Sequence, residues 1–230
     1  YLALLKQMQE RILHATEEEI NRSKIEILSG LMRLRQICDT PKLFMEDYDG
    51  ESGKLESLLE LLEQIQGGNH RVLIFSQFRG MLDIIEEELG RMGLESFKIT
   101  GSTPAKDRQE MTKAFNQGER SAFLISLKAG GVGLNLTGAD TVILVDLWWN
   151  PAVEAQAIGR AHRIGQERNV EVYRMITRGT IEEKIQELQE TKRNLVSTIL
   201  DGAESRSSLS LEEIREILGI SSESLEKKFE

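Results

Sequence analysis

The stretch "RVLIFSQFRGMLDIIEEELGRMGLESFKIT", residues 71–100, decides the fold. Its first five residues form a short apolar run of the kind found in strands buried on both faces. Phe78 to Met92 follows with helical spacing, and "SFKIT" reads as a second short strand. The same beat continues outward. Downstream, Thr103-Pro104 opens a helix with proline at the first helical position, and that helix leads to the strand "AFLIS" at 122–126. A tight glycine-rich connection reaches "TVILVD" at 141–146. Another helix starts at Asn150-Pro151, and "VEVYRMIT" at 170–177 is the last strand. Upstream, Lys54 to Ile65 is an amphipathic helix. Strands alternating with helices of this length predict an α/β fold: a parallel sheet with helices on both faces. Ligands on such sheets sit at the carboxyl ends of the strands. Here those ends read "SQF", "TGS", "SLKAGG" and "DLWWNP".

Helical extensions flank this core. Leu5, Met8 and Ile12 keep helical spacing, and Ile25, Leu28, Met32 and Arg35 continue it. The pattern is already under way at Tyr1, so more chain is expected before it. The predicted organisation is a helical extension over 1–48, an α/β lobe over 49–178, a bracing helix over 179–200, and a linker with a short terminal helix over 201–230. Thr180 with Glu183, and Ser210 with Glu213, carry the capping-box spacing for the last two helices. "DGAESRSS" between them reads as the linker.

Composition narrows the classes. There is no run of eighteen apolar residues and no secretory leader, so an intracellular protein without a membrane span is expected. One cysteine and three histidines provide neither a disulfide nor a zinc ligand set, and no metal site is expected on this chain. The formal net charge of −9 argues against a surface that is nucleic-acid-binding throughout. Charge is uneven, however: Arg160 to Arg178 holds five arginines against Glu167 and Glu171. Such a zone suits phosphate.

Two glycine-rich stretches invite a nucleotide reading. "GESGKLES" has Gly53-Lys54, but Tyr48 stands where the first P-loop glycine belongs and Leu55 where Ser or Thr must reach magnesium. A helix start, with Ser52 or Gly53 near the N-cap, accounts for it better. In "KAGGVGLNLTG", Leu136 stands where a dinucleotide fingerprint needs its third glycine. Gly130, Gly131 and Gly133 still allow backbone amides close to a ligand, or simply a tight connection. The tryptophan pair in "DLWWNP" cannot point both rings into one core, so one is expected near the strand ends.

"AQAIGRAHRIGQ", residues 155–166, is the remaining puzzle. If a helix runs from Pro151 to Gly165, then Gln156, Arg160 and Arg163 share an arc of about 60°. Val153, Ala157 and Ala161 line a neighbouring packing stripe. A solvated polar face is the plain alternative. Against it, the flanking residues are small, no carboxylate stands four residues from Arg160 or four residues before Arg163, and the guanidinium fork matches phosphate oxygens.

"QAIGRAHRIGQ" resembles motif VI of helicase superfamily 2, and in particular that of the Swi/Snf-type ATPases that translocate on double-stranded DNA. "VLIFSQF" resembles motif IV, "TGSTPAKDR" a following DNA-contact segment, and "SLKAGGVGLNLTGAD" motif V. "LVDLWWNP", "LMRLRQICDTP" and "RGTIEEKIQELQETK" resemble family elements in the same order. The likeness runs from about residue 28 to 218. It implies the second, C-terminal RecA-like lobe of a DNA-dependent ATPase. ATP and Mg2+ would be held mainly by a first lobe of the same polypeptide, with none tightly bound here. The full-length protein would be the enzyme, and this chain, lacking both Walker motifs, inactive alone. The resemblance implies that Arg160 and Arg163 act as arginine fingers, with Gln156 helping to place the nucleotide. Gly131, Gly133 and Asn135 would lie near the nucleotide. Gln77, Phe78, Thr100, Gly101, Arg108, Ser126, Lys128 and Trp149 would follow the backbone of double-stranded DNA. Protein–DNA complexes are the implied target, and the chain is expected to be a monomer. Gly159 stands where many members carry an acid. This leaves the C-terminal lobe of another superfamily 2 helicase as an alternative, beside two rival classes: a non-catalytic interaction module on the same fold and a small α/β nucleotide-binding enzyme.

Overall fold

The computed structural model describes residues 1–127, 133–163, 165–166, 168–198 and 209–220. Lys128 and Gly131, the expected linker at 201–208, and the helix end expected near Leu200 lie outside the described residues. In chain order the elements are α1 (Leu2–His14), α2 (Glu17–Arg22), α3 (Lys24–Asp39), α4 (Gly53–Gly67), β1 (Val72–Ser76), α5 (Arg79–Arg91), β2 (Ser96–Ile99), α6 (Ala105–Asn116) and β3 (Ala122–Ser126). β4 (Thr141–Leu144), α7 (Pro151–Ile158), β5 (Glu171–Arg174), α8 (Ile181–Thr198) and α9 (Leu211–Ile217) complete the order. Two compact units divide them. One is Gly50–Trp148 with Ala152–Ile176; the other is Tyr1–Asp49, Trp149–Pro151 and Thr177–Glu230.

In the first unit the five strands are parallel and ordered β2-β3-β1-β4-β5. Every residue of β1, β3 and β4 is buried. These strands therefore read as continuous apolar runs, as interior parallel strands must. On one face Leu73, Phe75, Phe123, Ile125, Val142 and Leu144 form a cluster with Phe115 of α6 and Ala157 of α7. Phe115 meets Phe123 edge-on, with ring centroids 5.2 Å apart. Alternate side chains such as Ile74 and Leu124 point to the other face, where α5 packs on β1 and β3 and buries Met81, Leu82, Ile85 and Leu89. β5 closes the sheet with exposed Glu171, Tyr173 and Arg174, a charged edge that discourages further pairing.

Local details differ from the sequence reading. Pro104 is the N-cap of α6 rather than its first helical residue, at φ −58° and ψ 149°. Ser52 occupies the N-cap position of α4, as expected. The Gly53-Lys54 pair is no phosphate cradle: Lys54 is buried and its Nζ donates to the Val145 carbonyl at 3.0 Å.

In the second unit, α3 buries Ile27, Leu31, Leu34, Arg35 and Cys38. The expected stripe through Ile25 was offset, and Ile25 is 80% exposed. The helical period was right, but apolar residues on neighbouring faces left its phase open. Ser210 and Glu213 form a reciprocal capping box on α9. At α8 the expected box is displaced: Thr180 Oγ1 accepts from the Glu182 amide at 3.2 Å, and Glu183 Oε2 from the Gly179 amide at 2.9 Å. The turn before that helix supplies spare donors that two carboxylates satisfy, Glu183 from Gly179 and Glu182 from the Thr177 amide at 2.8 Å. Among the described residues no helix is long and apolar enough to cross a membrane.

Candidate functional site

The strand order brings distant segments to adjacent carboxyl ends. Thr100 and Gly101 follow β2, Ser126 ends β3, and Gln77 and Phe78 follow β1, so these five residues occupy three neighbouring strand ends. Ser76 and Ser126 are direct partners in the β1–β3 ladder. Gln77, Phe78, Thr100 and Ser126 are mostly buried, while Gly101 is exposed. Arg108, one turn into α6, bends back over its own loop. Its Nε donates to Thr103 O at 2.7 Å, and its Nη2 to Thr100 O at 3.2 Å and Gly101 O at 3.1 Å. Arg108 thus holds the loop after β2 in shape. Trp149 belongs to the other unit, where it is half-buried and the Arg35 guanidinium lies 4.5 Å from its ring centroid.

The arginine segment is not one long helix. α7 ends at Ile158, and the next amides turn to tighter bonds, Arg160 N to Ala157 O at 3.1 Å and Ala161 N to Ile158 O at 3.1 Å. Gly165, at φ 101°, follows in the left-handed region. Gln156, Arg160 and Arg163 therefore do not share one solvent arc. Gln156 and Arg163 are exposed, whereas Arg160 is buried. Ala157 and Ala161 are buried against the sheet, as their stripe predicted. Arg163 Nε donates to Gly159 O at 3.1 Å. Burial first, and then the positive charge of Arg163, hold the Arg160 guanidinium below arginine's usual pKa. The acid of this helix, Glu154, is turned elsewhere: its carboxylate accepts from Arg174 Nε at 3.1 Å and from the Trp148 amide at 3.2 Å.

The glycine-rich segment is tied to the arginines. The Leu136 amide donates to Arg160 O at 2.9 Å. Gln166 Nε2 lies within bonding distance of the carbonyls of Thr137, Ala139 and Ala161, at 3.2, 2.7 and 3.1 Å. Gly133 and Asn135 are exposed and line an open cavity of about 430 Å³ with Gln109, Thr112, Lys113 and Asn116. Asn116 fixes this rim, donating to Asn135 O at 2.8 Å and accepting from the Gly138 amide at 3.0 Å. Sequence reasoning missed Asp146, Glu154, Gln166 and Lys113. Their roles depend on contacts between segments, and only the position of Asp146 at a strand end gave a signal. Among the described residues no group of three or more His, Cys, Asp or Glu side chains is arranged to hold a metal ion.

The family model described as helicase conserved C-terminal domain matches residues 53–165. The mouse SWI/SNF-related matrix-associated actin-dependent regulator of chromatin subfamily A member 1 is 41% identical over 87% of this chain and 21% of its own length. The solved C-terminal domain of a SWI2/SNF2 ATPase from Sulfolobus solfataricus is 32% identical, over 95% of this chain and 91% of that one, with a TM-score of 0.71. The core of a Sulfolobus solfataricus SWI2/SNF2 ATPase, solved in complex with double-stranded DNA, is 34% identical over 95% of this chain and 46% of that one, with a TM-score of 0.74. The chain spans about a fifth of the length of the curated relatives it matches.

Proposed function

The chain belongs to the Swi/Snf-type ATPases as their C-terminal, RecA-like helicase domain, and from that premise we propose that it supplies one half of an ATP-hydrolysing site and part of a duplex-DNA path. The observation that carries this reading is the arginine pair. Arg160 is buried and Arg163 exposed on one tight turn, mutually repelling, with Glu154 already engaged by Arg174. Two guanidiniums three positions apart on one turn match the oxygens of a phosphate.

Phosphoryl transfer is largely positioning and charge stabilisation, and an arginine finger contributes roughly 10³ to 10⁵ in rate, or about 4 to 7 kcal/mol. Arg163 reaches across a cleft to the γ-phosphate. Arg160, fixed by packing and by its carbonyl's bond to Leu136, supports the same charge from behind. Gln156, Gly133, Asn135 and Gly131 border the nucleotide. This donor set fits phosphate and not Mg2+, so ATP and Mg2+ are assigned mainly to the first lobe of the full-length protein. Bound there, Mg2+ would neutralise charge on the phosphate oxygens. Hydrolysis then waits on lobe closure, because neither half is complete alone.

The DNA path consists of Gln77, Phe78, Thr100, Gly101, Ser126 and Lys128, with Arg108 bracing its loop; Trp149 is proposed as a separate DNA contact on the other unit. Contacts of this kind hold the duplex backbone without reading sequence. Support comes from the shared strand ends and from the Sulfolobus relative solved with double-stranded DNA. A DNA partner puts the full-length protein inside the cell, acting on DNA or protein–DNA complexes. The test uses this chain by itself, expected to be a monomer, in an ATPase assay with and without duplex DNA. The expected result is no hydrolysis above background and only weak, salt-sensitive DNA binding. DNA-stimulated hydrolysis by the chain alone would sink the half-site reading.

A further inference from the structure

The turn that leaves β1 carries Gln77 and Phe78, yet its shape is set from the neighbouring strand. Asp146 lies just past β4, and it is fully buried. Its Oδ2 accepts from Ser76 Oγ at 2.5 Å, and its Oδ1 from Gln77 Nε2 at 2.6 Å. The Gln77 amide N–H donates to the same carboxylate, 3.3 Å from Oδ1 and 3.2 Å from Oδ2. Ser76 Oγ in turn accepts from the Phe78 amide at 3.0 Å. One carboxylate therefore engages all three residues of "SQF", directly or through one hydroxyl.

A buried carboxylate is costly unless several donors converge on it, and here they do. If only the strand end needed filling, an apolar residue would serve. A carboxylate does something an apolar residue cannot. It accepts only, so it keeps the nitrogen of the Gln77 amide on its own side and excludes the inverted amide. It also fixes the main chain of the turn through the Gln77 N–H. We propose that Asp146 is a positioning residue for DNA binding, holding Gln77 and the turn it sits on in the single conformation that meets the duplex backbone. This rests on the reading of Gln77 as a DNA contact.

The test is a mutant cycle in the full-length protein, using a fluorescein-labelled duplex. Its readouts are the dissociation constant and the DNA concentration for half-maximal stimulation of ATP turnover. Gln77→Ala and Asp146→Ala are each expected to raise both constants roughly five- to tenfold, the loss of about one well-placed hydrogen bond. The double variant should be no weaker than the weaker single variant, because both remove the same contact. Turnover of Asp146→Ala at saturating DNA should stay within about twofold of the parent, a split that a general loss of structure does not produce. Asp146→Asn keeps the shape should Asp146→Ala fail to fold. It should weaken binding by roughly two- to threefold, and have no effect once Gln77→Ala is present. Additive effects, or unchanged DNA constants in the Asp146 variants while Gln77→Ala binds weakly, overturn the positioning role alone. Unchanged constants in Gln77→Ala overturn the DNA reading of Gln77 and the role of Asp146 with it.

Discussion

Arg160 and Arg163 stand three positions apart and occupy different surroundings, one packed under the turn and one in solvent. Their spacing and small neighbours were legible in the sequence. Their division of labour was not, because it depends on where α7 stops. A helix carried on to Gly165 would have displayed both guanidiniums. The tightening after Ile158 tucks the first beneath the second. Asp140 makes the same point at the other end of the sheet, where its side chain is 5% exposed. It accepts from Arg168 Nη1 at 2.9 Å, His70 Nδ1 at 3.0 Å and the Arg71 amide at 3.1 Å. Burial pushes its carboxyl pKa up, but the bonds from Arg168, His70 and Arg71 outweigh burial and leave it below the usual value. A pKa lower in the folded state means stabilisation that is complete above about pH 4 and is lost as pH falls through the folded value. Urea midpoints measured from neutral to acid pH should therefore fall less steeply at the acid end in Asp140→Asn than in the parent. Equal acid slopes in the two proteins would remove Asp140 from that role.

Among the elements, the strands were the most legible. "VLIFS", "AFLIS" and "TVIL" are each apolar at all but one position and buried at every one, and burial on both faces leaves no other stable place for such runs. The turns that carry the candidate site were less so. Three donors from "SQF", two side chains and one amide, converge on Asp146, a residue about seventy positions away, and no local pattern announces that meeting. The helix of α3 was predicted, but its buried stripe was not, since Ile25 and Ile27 are equally apolar and only packing chooses between them. Gly165 marks a turn rather than the helix end expected there, since α7 stops at Ile158. At φ 101° it occupies a conformation that costs an L-residue about 1–2 kcal/mol, and a methyl group there would meet nothing within 4 Å. Gly165→Ala should thus lower unfolding stability by about that amount through the backbone alone, measured by urea denaturation. An unchanged midpoint would mean the turn relaxes without strain, and that Arg163 is held less firmly than proposed.

At the scale of the whole molecule, a chain with a net charge of −9 is an unpromising ligand for DNA or ATP. The proposed function asks for less than that sum suggests. It needs one turn with two cations, presented to a nucleotide on the first lobe, and one row of strand ends, presented to duplex DNA. The parallel sheet puts those segments side by side although they are spread from Gln77 to Arg163, and that convergence is the link between fold and function. The central claim is that the arginine turn completes an ATP site built mainly elsewhere. Arg163→Ala in the full-length protein, with ATP binding and DNA-stimulated turnover measured on the same preparation, tests it most directly. The account predicts that turnover drops roughly 10³- to 10⁵-fold while the ATP dissociation constant changes by less than about tenfold. Turnover that survives the substitution, or a loss explained entirely by failure to bind ATP, would contradict it.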